Sequence, residues 1–187
     1  MAILHKATLT PTKGEVVAAW LPEQSWFEPG TTGVRPVATF RFDDPAGEVG
    51  IELILLAREE GDEWHVPMTY RGAPLDGGAE HLIGEMQHSV LGVRYVYDAV
   101  GDPVFLDLVR ATIRGRGHEA DLVRDLGDGT TEPVEKTMTA HGSGGEGVDV
   151  VVERRPVPAT EADFADGSGA LIAERPGAAP VVLARLI

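Results

Sequence analysis

From residue 35 onward the chain alternates apolar and polar positions with the period of a β-strand. In VATFRFD (37–43), Val37, Thr39 and Arg41 fall on one side and Ala38, Phe40 and Phe42 on the other, as expected for a strand with two unlike faces. After the turn DDPAGE, the run GIELILLAR (50–58) is apolar almost without interruption, which predicts a central strand covered on both faces. A polar EEGD turn leads into EWHVPMTYR (63–71). Turns this short favour antiparallel neighbours, so the three segments read as a meander. RGAPLDGG then reads as a longer loop and AEHLIGEM as one or two helical turns. SVLGVRYVYD (89–98) returns to strand, with Val93, Tyr95 and Tyr97 on one side.

The flanks supply the helices. AILHKATL (2–9) reads as a first strand. A helix follows whose start is set either by Thr10-Pro11, an N-cap with proline at the first helical position, or by the capping box Thr12/Glu15. Val16, Val17, Trp20 and Leu21 share its apolar face, Pro22 ends it, and QSWFEPGTTG is a loop. Asp102-Pro103 repeats the N-cap and proline device before VFLDLVRATIRGR, an amphipathic helix with Val104, Leu106, Leu108, Val109 and Ile113 on its buried side. HEADLVRDLGDGTTEPVE is acidic and poor in large apolar residues, the composition of a loosely held connection. Strand-like runs resume in EKTMTAH, VDVVVERR, ALIAER and PVVLARLI. The expectation is an α+β fold: an antiparallel sheet with a few packed helices over residues 1–117, then a β-rich extension over 118–187 that completes the same sheet or forms a second one.

Composition narrows the function more than the fold. At 187 residues the chain can bury most of its apolar surface in one core. It has no cysteine, which excludes disulfides, thiolate metal sites and a cysteine nucleophile. A formal charge of −14 repels phosphate backbones and anionic membrane surfaces, so neither nucleic acid nor membrane is expected as a partner. No segment approaches the roughly 20 apolar residues of a membrane span and the first residues lack a signal pattern, so the expected location is the cytoplasm.

Candidate chemistry is sparse. Gly142, Gly144 and Gly147 satisfy G-x-G-x-x-G, but no lysine follows Lys136 to hold phosphates, no magnesium-binding element follows, and VDVVVERR is strand-like where a dinucleotide site needs a helix. A hairpin connection accounts for these glycines. His81, Glu85 and His88 would share a face on an uninterrupted helix, although Gly84 breaks the run and polar edge positions explain both histidines. His5 and His65 fall on strands, and His118 and His141 lie beside glycine-rich sequence. Ser25, Ser89, Ser143 and Ser168 lack a nucleophile elbow, and Asp43-Asp44, Glu59-Glu60 and Asp62-Glu63 read as turn charges. Trp64, His65, Tyr70 and Arg71, on one predicted strand, form the single cluster retained as a candidate binding surface, because aromatic faces suit sugars and arginine suits phosphate or carboxylate; His81 and His88 are kept with it. No catalytic set, cofactor or metal site is expected.

The motifs T-L-T-P-T-K (8–13), A-W-L-P-x-Q-x-W-F (19–27), D-D-P-A-G-E-V-G-I-E (43–52), H-V-P-M-T-Y-R-G-A-P-L (65–75) and H-S-V-L-G-x-R-Y-V-Y-D (88–98) together resemble the maltokinase N-terminal cap domain family, in the form of a free-standing cap-like protein. The resemblance covers about the first 110 residues. It implies a cystatin-like unit of sheet and helix, and a link to the kinases that phosphorylate maltose with ATP and feed α-glucan synthesis. Kinase activity does not carry over, since too little chain remains for two kinase lobes. The expected function is a non-catalytic interaction or regulatory module of maltose, trehalose or α-glucan metabolism, with a sugar kinase or an α-glucan enzyme as partner. The alternatives are a small-molecule protein that binds a sugar or sugar phosphate on a concave sheet face, and an enzyme of sugar metabolism.

Overall fold

A computed structural model describes residues 2–4, 7–28, 33–58 and 61–187, residues 2–4 by their backbone alone. His5, Glu59 and Glu60 lie outside the described residues. The chain orders its elements as β1 (Ala2–Leu4), β2 (Leu9–Thr10), α1 (Lys13–Trp20), β3 (Arg35–Asp43), β4 (Gly50–Ala57), β5 (Glu63–Arg71), β6 (Leu82–His88), β7 (Gly92–Asp98) and α2 (Pro103–Arg114). The rest is strand: β8 (Leu122–Asp125), β9 (Thr131–Pro133), β10 (Thr139–Gly142), β11 (Val150–Pro158), β12 (Ala170–Glu174) and β13 (Val181–Leu186). An α+β fold dominated by antiparallel sheet, with two short helices, is what the alternation predicted.

The main sheet has the order β2-β6-β7-β5-β4-β3 and every pairing in it is antiparallel. Its two faces follow from the period of two. Ile54, Leu56, Trp64, Val66 and Met68 point to one side, where they pack with Val16, Val17 and Trp20 of α1. Phe40, Leu53 and Leu55 point to the other, where they meet Phe105 and Ile113 of α2 and Leu171 and Leu183 of a second sheet. That second sheet, β10-β12-β13-β11, is also antiparallel. One core therefore draws residues from both sides of position 117. β4 is buried along almost its whole length because both of its faces are covered.

Local chemistry sets the helix ends. Thr12, not Thr10, caps α1: its hydroxyl accepts the Glu15 N–H while Glu15 returns to the Thr12 N–H, a complete capping box. Pro11 lies before the helix, after a cis Thr10-Pro11 bond. Asp102 caps α2 by accepting the Val104 N–H, as its sequence signature predicts. The buried stripe of α2 is Phe105, Val109, Thr112 and Ile113, with Val104, Leu106 and Leu108 packed at its edges. Phe105 thus takes the place expected for its apolar neighbours.

Three expectations are corrected. AEHLIGEM is a single 3-10 turn, Ala79–His81, followed by strand β6. Gly84 explains the change, since a Cβ there would meet Val16 Cγ1 at 2.9 Å; the strand needs its glycine to let α1 approach. The acidic stretch after Gly117 is not a loose connection, because β8 pairs in parallel with β1 and antiparallel with β9. The glycine-rich GSGGEG does not join a hairpin either, as β10 pairs with β12 and β11 with β13.

Candidate functional site

Between α1 and the main sheet lies a cavity of about 580 Å³. Ile54, Val66 and Met68 form its floor, and Val17, Ala18 and Phe27 stand along its sides. α1 has only eight residues and covers part of this sheet face, and the cavity lies beside it over aliphatic side chains of β3 and β4. The polar side chains that reach this space are Lys13, Thr39, Glu52 and Thr137.

Glu52 is the centre of the polar end. It is the one charged residue of β4, 6 % exposed, and its carboxylate is surrounded by donors. Lys13 Nζ lies 2.5 Å from Oε2, the Tyr70 hydroxyl donates to the same oxygen at 2.7 Å, and an Arg41 Nη2 is 3.4 Å away. The Thr39 hydroxyl lies 3.3 Å from Oε1. Burial pushes the Glu52 carboxyl up, but the charges of Lys13 and Arg41 and the hydrogen bonds from Lys13 and Tyr70 outweigh it and hold it at about 2. The same burial, joined by the Glu52 charge, raises the Tyr70 hydroxyl. Burial also lowers the Lys13 ammonium, which Glu52 partly restores. At neutral pH Glu52 stays ionised and Tyr70 stays protonated, so the group presents fixed charge and not a proton relay. Two cations meet one carboxylate, and one of them, Lys13, lines the cavity together with Glu52. The Lys13 ammonium also sits 5.2 Å from the Tyr70 ring centroid, within cation–π range.

The residues singled out by sequence are distributed differently from a binding surface. β5 is flanked by β7 and β4, so it is not an edge strand. Trp64 and His65 are fully buried and Tyr70 nearly so. Trp64 packs on Phe27 with ring centroids 5.1 Å apart and is covered by the Arg155 guanidinium, 4.4 Å from its ring. Arg154 covers Trp26 at 4.6 Å and pairs with Asp98. These two arginines come from β11, which lies against the part of β5 that β7 leaves unpaired. His65 faces the opposite side, with Nδ1 3.2 Å from the Glu153 carbonyl. Arg71 makes a bidentate pair with the fully buried Asp102, both contacts at 2.7 Å, and so holds the start of α2. Burial opposes ionisation of Asp102, yet the Arg71 guanidinium and the Val104 N–H keep its carboxyl below the usual range. Of the cluster, Tyr70 alone reaches the Glu52 group.

His81 and His88 are not brought together on one helical face. His81 sits in the 3-10 turn against Gly101, where a Cβ would meet its ring at 2.0 Å. His88 Nδ1 accepts the N–H groups of Val90 and Leu91 and so organises the β6–β7 turn. Glu85 is exposed. Among the described residues no group of three His, Cys, Asp or Glu side chains is arranged to hold a metal ion.

The glycine motif packs against the wrong end of a helix for phosphate. Gly144 N–H donates to the Ile113 carbonyl at 2.8 Å, and a Cβ on Gly142 would lie 2.3 Å from the Thr112 oxygen. These are C-terminal carbonyls of α2, which carry partial negative charge. Glycine is needed there for close backbone approach.

No curated protein matches the chain. The family model of the maltokinase N-terminal cap domain matches residues 20–102, just under half of the 187 residues. The matched span runs from the end of α1 to the N-cap of α2 and contains β3 to β7, the strands that build the floor of the cavity and most of the main sheet. It begins at Trp20, so the Thr8–Lys13 motif lies outside it while the four later motifs lie within it or start just before it. The resemblance read from those motifs is therefore borne out over residues 20–102, which are similar to the maltokinase N-terminal cap domain.

Proposed function

We propose that this chain is a non-catalytic, cap-like interaction or regulatory module of maltose, trehalose or α-glucan metabolism, acting in the cytoplasm on a sugar kinase or an α-glucan enzyme. The observation that carries this reading is the match of residues 20–102 to a kinase cap domain. The arrangement around that span supports it. One face of the main sheet is sealed by α2 and the C-terminal sheet, which belong to the chain's own core. The glycine motif that resembled a phosphate loop is occupied in packing against α2. A helix lying on one face of an antiparallel meander supports a cystatin-like cap over residues 1–117, with 118–187 as a β-rich extension packed against it. Affinity capture of the tagged chain from its native host, with mass spectrometry of the retained proteins, tests it. A sugar-metabolising enzyme bound in fixed stoichiometry is expected. Phosphate transfer from ATP to maltose by the purified chain would overturn it, as would capture without any such enzyme.

A second reading, a small-molecule binding protein, is favoured by the cavity beside α1. It does not use the Trp64 to Arg71 cluster, whose side chains are engaged within the fold.

A further inference from the structure

We propose that the cavity between α1 and the main sheet binds a small amphiphile with an apolar body and a single anionic head group, of the medium-chain carboxylate class, with its head on Lys13. This deepens the small-molecule reading and leaves the partner reading independent. The volume of about 580 Å³ lies in the range of ligand sites, and the floor and sides are aliphatic apart from Phe27. Such walls reward an apolar body and offer a sugar ring little to hydrogen-bond.

The polar end is selective because almost all of it is already used. Thr137 accepts the Thr39 N–H at 3.0 Å and donates to the Thr39 carbonyl. The Thr39 hydroxyl is taken by the Leu53 carbonyl and Glu52. Glu52 Oε2 is ringed by Lys13, Arg41 and Tyr70 and the side chain is 8 % exposed, so the two cations hold a cationic head off the carboxylate. Lys13 differs. Its ammonium has three N–H groups, its hydrogen bond is to Glu52, and its side chain is 30 % exposed at the cavity rim. With Arg41 it outnumbers Glu52 by one charge, so an anion completes the balance where a neutral or positive head does not.

The test is isothermal titration of the full chain with decanoate, decanol, decyltrimethylammonium and maltose, each below its micelle concentration. Decanoate is expected to bind one per chain and about tenfold tighter than decanol, the size of one net charge-assisted hydrogen bond. Decyltrimethylammonium and maltose should give no saturable binding. Lys13→Met should bring decanoate down to the affinity of decanol. Ala18→Trp, at an exposed helix position on the cavity wall, should abolish binding of both. Absence of decanoate binding by the native chain would overturn the proposal, whatever the variants do. So would an unchanged anion preference in Lys13→Met, or undiminished binding by Ala18→Trp, which would mean adsorption elsewhere on the surface.

Discussion

Acidification should destabilise this protein well before its carboxylates titrate, and His65 is the reason. Its imidazole is fully buried on β5, and burial, reinforced by the Arg154 charge, lowers its pKa from 6.5 to about 3, against the smaller opposing effect of the Glu153 and Leu183 backbone. A carbonyl can only accept, so the neutral ring carries its proton on Nδ1, 3.2 Å from Glu153 O. The sign follows directly. Below pH 6.5 the unfolded chain binds a proton at this position that the folded chain refuses, so stability falls as pH falls and stops changing only below about 3. With one proton per chain, the loss relative to neutral pH is about 1 kcal/mol at pH 5.5 and about 3 kcal/mol at pH 4.5. Against a total stability of about 5–15 kcal/mol that is large. Urea unfolding of the native chain and of His65→Gln at pH 7.5, 6.5, 5.5 and 4.5 measures it. The variant starts lower, because it loses packing, but its stability should decline far less between pH 6.5 and 4.5. Parallel decline of the two proteins would refute the assignment of the pH dependence to His65. Glu52 acts in a separate window: its carboxyl is depressed from 4.5 to about 2, so its contribution is complete above pH 4.5 and is lost as pH falls towards 2.

Two glycines should respond oppositely to the same change. Gly142→Ala forces a Cβ to 2.3 Å from the Thr112 oxygen and 2.4 Å from Ile113 Cα, both backbone, and should cost about 1–3 kcal/mol in urea unfolding. Gly14→Ala lies in α1 with nothing within 4 Å of the new methyl and should stabilise by about 0.5–1 kcal/mol. Phe105→Ala removes a fully buried ring from the core shared by α2 and both larger sheets, so a loss of about 3–5 kcal/mol is expected, read by thermal or chemical denaturation. Truncation after Gly117 strips Leu171 and Leu183 from that core. The fragment should show no cooperative unfolding transition, and a sharp two-state transition would argue that residues 1–117 fold alone.

Much of the architecture was legible because it rests on short-range rules. The apolar run in β4 predicted a strand covered on both faces, and Asp102-Pro103 predicted the start of α2. The misreadings share a different cause. AEHLIGEM contains apolar residues compatible with a helical turn, but the decisive fact about Gly84 is the approach of α1 to within contact of it. β8 has little apolar signal of its own, and its place is set by pairing with β1 more than a hundred residues earlier. The candidate surface on β5 was readable as two surfaces: with a period of two, Trp64 and Tyr70 fall on one face and His65 and Arg71 on the other. The feature missed outright was Glu52. A single charge inside GIELILLA is a signal, since a buried carboxylate must find donors. Its partners stand 39, 18 and 11 residues away in Lys13, Tyr70 and Arg41, and no local pattern links them.

Glu52 in β4 and Asp102 at the start of α2, two of the buried carboxylates, use their charge differently. Asp102 has one bidentate arginine and a backbone cap, so its charge is balanced and its geometry is spent on joining β5 to the start of α2. Removing either partner would unseat a helix, and nothing about the pair looks outward. Glu52 has more cation than it needs, and its surplus lies at the rim of an apolar cavity. A buried ion pair is weak evidence of stabilisation, because desolvation offsets much of the attraction. An apolar residue at position 52 would suit β4, where every other side chain from Ile51 to Ala57 is buried and apolar. A charge kept in such a strand, with two cations set against it and one of them at the cavity rim, is the feature of β4 that packing alone does not explain.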